Sequence, residues 1–152
     1  MEHLEYTIEI FAPAKKVWDT MLNEETYKQW VSRSWPNSFY IGEWKEGREI
    51  SFLSQDGGGG TLALLEEVVP YERILAKHVA VLDGKGNQER RSEFTNGWIG
   101  TKEEYWFSEE NGRTTLKVIM ETSPAWVAMF DEGWPGALQD LKNLCEKQAV
   151  VA

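Results

Sequence analysis

Residues 123–147 read SPAWVAMFDEGWPGALQDLKNLCEK, the longest run in the chain with a sustained helical apolar period. Trp126, Phe130, Trp134, Ala137, Leu141 and Leu144 recur at steps of three and four. Met129, Leu138 and Cys145 widen the stripe, so one face is continuously apolar. Such a face needs a cover, and because little else in the chain is helical, the predicted cover is an antiparallel sheet. Within the run, Pro135 lacks the N–H that would bond back toward Asp131, and an uncompensated interior proline costs ~3 kcal/mol. Either the helix kinks there or a second helix starts at Pro135. The preferred reading is one kinked helix, with Gly133 and Gly136 letting another segment come close.

Working outward from the N-terminus, Leu4, Tyr6, Ile8 and Ile10 alternate with Glu5, Thr7 and Glu9, a strand with one wet face. After Ala12-Pro13, helical spacing brings Val17, Trp18, Met21 and Leu22 together. Asn23 ends that helix and caps a second one with Tyr27, Trp30 and Val31 inward. Strands are then predicted at 38–41, 48–54, 61–69, 74–82, 98–108 and 114–122, with turns at 46–47, 56–60 and 70–73 and at Asn111-Gly112. The four glycines at 57–60 lack the Gly-Lys-Ser/Thr and following helix of a phosphate loop, so a hairpin loop is expected. Residues 83–97 are polar and glycine-bearing, and read either as a surface excursion or as a lid.

The 152 residues fit a single domain spanning 1–152, and a chain of that size buries roughly 70% of its unfolded surface. A net charge of −9 argues against nucleic acid or an anionic membrane as partner. One cysteine, Cys145, excludes an intrachain disulfide and reads as packing. With no leader and no membrane-length apolar run, a cytoplasmic protein is expected. Eight tryptophans predict a wide aromatic interior.

Candidate chemistry is sparse. His3 and His78 are the only imidazoles, and no spacing marks a triad, a metal site or a cofactor, so none is expected. On the strand at 74–82, Ile74, Ala76, His78 and Ala80 share one face and Leu75, Lys77, Val79 and Val81 the other. Alternation leaves open which face is inside. An inward His78 beside two alanines would project into a partly hollow interior. Its preferred reading is a histidine paired within the wall, ahead of a ligand hydrogen-bonder or general acid/base. Glu103 shares a face with Tyr105 and Phe107, and the preferred reading is a strand-end charge reaching water. Tyr40, His78, Trp98, Tyr105, Phe107, Trp126, Phe130 and Trp134 are the candidate ligand-binding residues, although the aromatics among them would equally make a solid core.

One series of short motifs runs in order along nearly the whole chain. It comprises Ile10-Phe11-Ala12-Pro13 with Val17-Trp18, then Trp30, Gly42 and Gly47, Glu67-Val68-Val69-Pro70 with Arg73-Ile74, Thr115-Leu116, and Trp134 with Leu138, Leu141 and Lys142. The series resembles the START-like helix-grip superfamily, most nearly the Aha-type family related to the C-terminal domain of the Hsp90 ATPase activator. The resemblance implies an α+β fold in which a seven-stranded antiparallel sheet wraps the C-terminal helix around a cavity. It also implies a small hydrophobic or aromatic ligand, with a chaperone ATPase partner or a cyclase-like activity using His78 or Glu103 as alternatives. A monomer or homodimer is expected. A single domain, without the N-terminal partner domain of the true co-chaperone, is expected.

Overall fold

The computed structural model describes residues 2–54, 59–83, 85, 87–91 and 98–150, with side chains described as far as Lys147. Strand β1 (Glu2–Ile10) is followed by helices α1 (Ala14–Leu22) and α2 (Glu24–Val31). Pro13 precedes α1 in an extended conformation, and the α1 face carrying Val17, Trp18, Met21 and Leu22 is buried. Asn23 accepts the Glu25 N–H through Oδ1 at 2.9 Å, which starts α2 where α1 ends.

Strands β2 (Ser38–Ile41), β3 (Glu49–Ser54), β4 (Gly59–Val69), β5 (Arg73–Leu82), β7 (Lys102–Glu110) and β8 (Arg113–Thr122) join β1 in one antiparallel sheet ordered β1-β8-β7-β5-β4-β3-β2. A two-residue strand, β6 (Gln88–Glu89), pairs with the end of β5. Asn111 and Gly112 both take positive φ, 55° and 77°, and form the tight β7–β8 turn that their sequence predicts. Two register shifts between β4 and β5, at Leu62/Ala63 and Leu65/Glu67, are the bulges that bend a sheet and raise its local twist. The curled sheet is closed on its concave side by α3 (Val127–Val150), which a short 3₁₀ turn at Pro124–Trp126 introduces.

Helix α3 runs through Pro135 as one element, so no second helix begins there. The two glycines beside the proline take the close approach expected of them. A Cβ on Gly133 would lie 2.7 Å from Cζ2 of Trp35, Ser34 donates its hydroxyl to the Gly133 carbonyl at 2.6 Å, and Arg33 donates to the Gly136 carbonyl at 3.0 Å. Arg33 also pairs with Asp140 at 3.0 Å. The strap between α2 and β2 is therefore fastened to the middle of α3. The backbone of α3 comes closest to β1, α1 and α2 rather than to the central strands β3, β4 and β5. Long side chains have to bridge the remaining space, and a void is left between them.

Four expectations change. The strand expected from Trp98 starts only at Lys102, because residues 98–101 turn: Thr101 N–H bonds the Trp98 carbonyl at 3.1 Å and Gly100 has φ 92°. Conversely, β4 begins at Gly59, where the turn was expected. A Cβ on Gly60 would fall 1.8 Å from the Phe52 carbonyl oxygen, so two glycines let β4 pass tightly between its neighbours. Met129, assigned to the apolar stripe, is 46% exposed. Within 83–97, Gln88 and Glu89 are strand, while residues 92–97, and with them most of the suggested lid, lie outside the described residues, as do glycines 57 and 58.

Candidate functional site

The ambiguity on β5 resolves by burial. Ile74, Ala76, His78 and Ala80 are inside, and the Leu75–Val81 face is the outer one. No residue of β5 borders the cavity of about 500 Å³ that opens between the helices and the sheet, so the hollow expected beside His78 and its two alanines is not there: that face is packed, and the space lies over β2–β4, β7 and β8. Its walls come from three directions. Helices α1 and α2 supply Met21, Tyr27 and Trp30. The strap and strands β2–β4 supply Trp35, Trp44, Phe52 and Gly60. From β7, β8 and α3 come Glu103, Tyr105, Met120, Phe130 and Trp134.

Two of the four indole N–H groups around the space are committed. Trp30 Nε1 donates to the Met21 carbonyl at 3.1 Å, and Trp134 Nε1 sits 2.9 Å from Met120 Sδ. Trp44 Nε1 is buried without an acceptor in hydrogen-bond geometry, although it lies near enough to the Tyr40 hydroxyl to act on its ionisation. With the Trp30 and Trp134 edges tied down, those two rings offer the cavity apolar surface. Trp134 is at the centre of the cluster, 5.2 Å from Trp35 and 6.2 Å from each of Tyr6, Trp30 and Tyr105 between centroids.

Of the eight candidate ligand-binding residues, Tyr105, Phe130 and Trp134 are brought together on this wall. Trp98 and Trp126, with Phe130 again, line a neighbouring pocket of about 410 Å³ that shares Ser54, Gly59 and Gly60 with the main one. The other three lie a layer behind. Tyr40 is covered by Tyr27, whose ring is 5.0 Å away, and donates its hydroxyl to the Leu22 carbonyl. Phe107 packs on Trp18 at 5.2 Å. His78, 1% exposed, stacks on Trp98 at 4.0 Å with its Nδ1 2.8 Å from Thr101 Oγ1 and its Nε2 3.5 Å from Glu103 Oε1.

Glu103 does not reach for water as expected. Its side chain is 12% exposed, lines the cavity and accepts the Tyr105 hydroxyl. The reason is strand parity: Glu103 and Tyr105 are two apart on β7, and Ala76, the residue opposite Glu103 on β5, is too small to push the carboxylate outward. Both phenols facing it stay protonated. Burial first, then the Glu103 charge, pushes the Tyr27 pKa far up, and the same two causes together with the hydrogen bond to Glu103 act on Tyr105. Tyr27, Trp30, Trp35, Trp44 and Phe52 were not among the candidates. Tyr27 and Trp30 sit on the inward face read for α2, but the other three occupy a turn, a loop and a half-buried strand where periodicity carries no signal for a void.

Among the described residues no group of three or more His, Cys, Asp or Glu is placed to hold a metal ion. Cys145 is fully buried in the α3 packing, and burial raises its thiol pKa. No helix among the described residues is long and apolar enough to cross a membrane.

A curled antiparallel sheet gripping a C-terminal helix, with a hollow between them, defines the START-like helix-grip class. Within it the chain belongs to the family described as activator of Hsp90 ATPase homolog 1-like protein, whose model matches residues 11–146. Solved structures agree in fold. The Aha1 dimer of Colwellia psychrerythraea superposes with a TM-score of 0.71 at 20% identity, covering 96% of this chain and 97% of that one. A protein of Mesorhizobium loti gives 0.73 at 14% identity over 96% and 98%. The AHSA1-like protein of Aeromonas hydrophila gives 0.65 at 15% over 96% and 94%. Among curated proteins none matches.

Proposed function

We propose that this protein binds a small hydrophobic or aromatic molecule in the cavity between the sheet and α3. The observation that carries the reading is the cavity itself: about 500 Å³, in the size range of small-molecule sites, and walled by eight aromatic side chains, Tyr27, Trp30, Trp35, Trp44, Phe52, Tyr105, Phe130 and Trp134. A protein selected only for stability fills such a space, because each unfilled methyl-sized void costs on the order of 1 kcal/mol. The fastened strap and helix hold the walls apart whether or not a guest is present. Native mass spectrometry of protein purified from its own cells and then exposed to a panel of uncharged aromatics is the test. Retention of at least one small molecule in one-to-one ratio is expected. A chain that stays unliganded across the panel refutes the reading.

A second reading, a co-chaperone-like interaction module, draws on family membership alone, through the activity for which the matched family is described. Stimulation of Hsp90 ATPase turnover by the purified chain would favour it, and pairing like that of the Colwellia dimer would be checked by sedimentation in the same experiment.

A further inference from the structure

Glu103 is the one charged residue among the described residues that line the main cavity. It lies in an otherwise apolar wall, and a carboxylate taken out of water needs a counter-charge or several donors. Tyr105 supplies one donor. No lysine or arginine among the described residues is in ion-pair range of Glu103, and its only basic neighbour is His78, with Nε2 3.5 Å from Oε1.

The proton count around His78 decides what that neighbour offers. Thr101 has a single hydroxyl proton and donates it to the Trp98 carbonyl at 2.6 Å. Toward His78 the same oxygen is therefore an acceptor, and Nδ1, 2.8 Å away, carries the ring proton. In the neutral ring Nε2 is then bare, so a lone pair and not an N–H faces the carboxylate. With the ring neutral, the Tyr105 hydroxyl is the one donor the protein turns to Glu103 among the described residues, and the open side of the carboxylate is the cavity.

From this, and resting on the ligand-binding reading above, we infer that the guest is an organic cation: an apolar, aromatic body bearing a protonated amine that docks on Glu103. Two further features favour it. Aromatic rings such as Tyr27, Trp30, Trp44 and Trp134 surround the space, and ring faces attract a desolvated cation. The net charge of −9 draws cations toward the molecule. The two phenols, Tyr27 and Tyr105, complete a polar corner able to orient one nitrogen in a cavity that is otherwise greasy.

Titration calorimetry near neutral pH with naphthylethylamine and its uncharged counterpart naphthylethanol separates charge from shape, since both carry a hydrogen-bond donor on the same arm. The amine is expected to bind about tenfold tighter to the wild type, and the ratio to fall to about one in Glu103→Gln. Circular dichroism of the variant checks that it is folded, and the wild-type comparison stands without it. Equal binding, or tighter binding of the alcohol, by the wild type overturns the cation assignment, while the cavity reading survives. A preference that persists in Glu103→Gln overturns it as well. If neither probe binds and native mass spectrometry finds no uncharged guest, both readings fall together.

Discussion

Tryptophans that line a void and tryptophans packed in solid core differ in what their removal costs, and this chain carries both in comparable settings. Trp18 is 8% exposed, lines neither of the pockets described, and packs against Phe107 at 5.2 Å and Tyr71 at 5.9 Å. Truncating it to alanine removes contacts on all sides and leaves a hole in close-packed surroundings, which costs about 3–5 kcal/mol. Trp35 is a partition: one side borders the main cavity and the other a groove bounded by Arg33, Glu132 and Gly136. Its ring keeps contacts mainly with Trp134, at 5.2 Å, and with the Gly133 backbone. About half the usual packing is lost in Trp35→Ala, so the expected cost is about 1–2 kcal/mol. Urea unfolding of both variants at constant m reads the difference directly. In a domain of this size each kcal/mol moves Tm by about 2–4 °C, so Trp18→Ala should melt about 10 °C below wild type and Trp35→Ala about 5 °C or less. Equal losses, or a larger loss for Trp35, would mean that side chains fill the space in solution.

Three other outcomes follow from the geometry. Thr101→Val leaves the His78 Nδ1–H buried without an acceptor and should cost about 1–3 kcal/mol by chemical unfolding, whereas Thr101→Ser should cost little. A stable valine variant would contradict the proton count. Gly60→Ala drives a methyl to 1.8 Å from the Phe52 carbonyl, so β3 and β4 must separate. A loss of at least about 2 kcal/mol and altered amide exchange along β3 are expected. Glu146 is desolvated by partial burial, which raises its pKa, but hydrogen bonds from Lys142 and the Phe11 N–H outweigh this and its folded pKa lies below the ordinary value. Its contribution is thus present above the unfolded carboxylate pKa of about 4.3 and is lost as pH falls through the lower folded value. Glu146→Gln should be less stable by about 1 kcal/mol at neutral pH and indistinguishable from wild type in strong acid. An unchanged gap at both pH values would defeat the assignment.

The architecture was legible because it rests on periodic burial. The stripe from Trp126 to Leu144, the alternation in β1 and the Asn111-Gly112 turn each specify an element locally, and they agree with one another. Boundaries failed where backbone hydrogen bonds, not side-chain pattern, decide: the turn at 98–101 reads as strand because Trp98 is apolar, yet Gly100 and the bonds to His78 fold it back. The cavity was only half legible. Alternation says that a residue points inward, and it is silent on whether a neighbour fills the space ahead of it. Tyr40 and Phe52 face each other across β2 and β3, but Tyr27 covers the first and leaves the second on the wall. That choice is made by the position of α2, a tertiary fact. Glu103 was misjudged for the same reason: a carboxylate on an inward parity is normally turned out, and only the small Ala76 opposite it makes room.

Four of the eight tryptophans, Trp30, Trp35, Trp44 and Trp134, border the main cavity. Their emission is therefore a built-in optical readout: a guest that replaces water beside these indoles shifts their spectrum, and one that overlaps them quenches it. Trp18 and Trp106 lie outside that zone and provide an internal baseline. Occupancy of this chain can accordingly be followed in dilute solution, or in a crude extract titrated against candidate compounds, with no label attached.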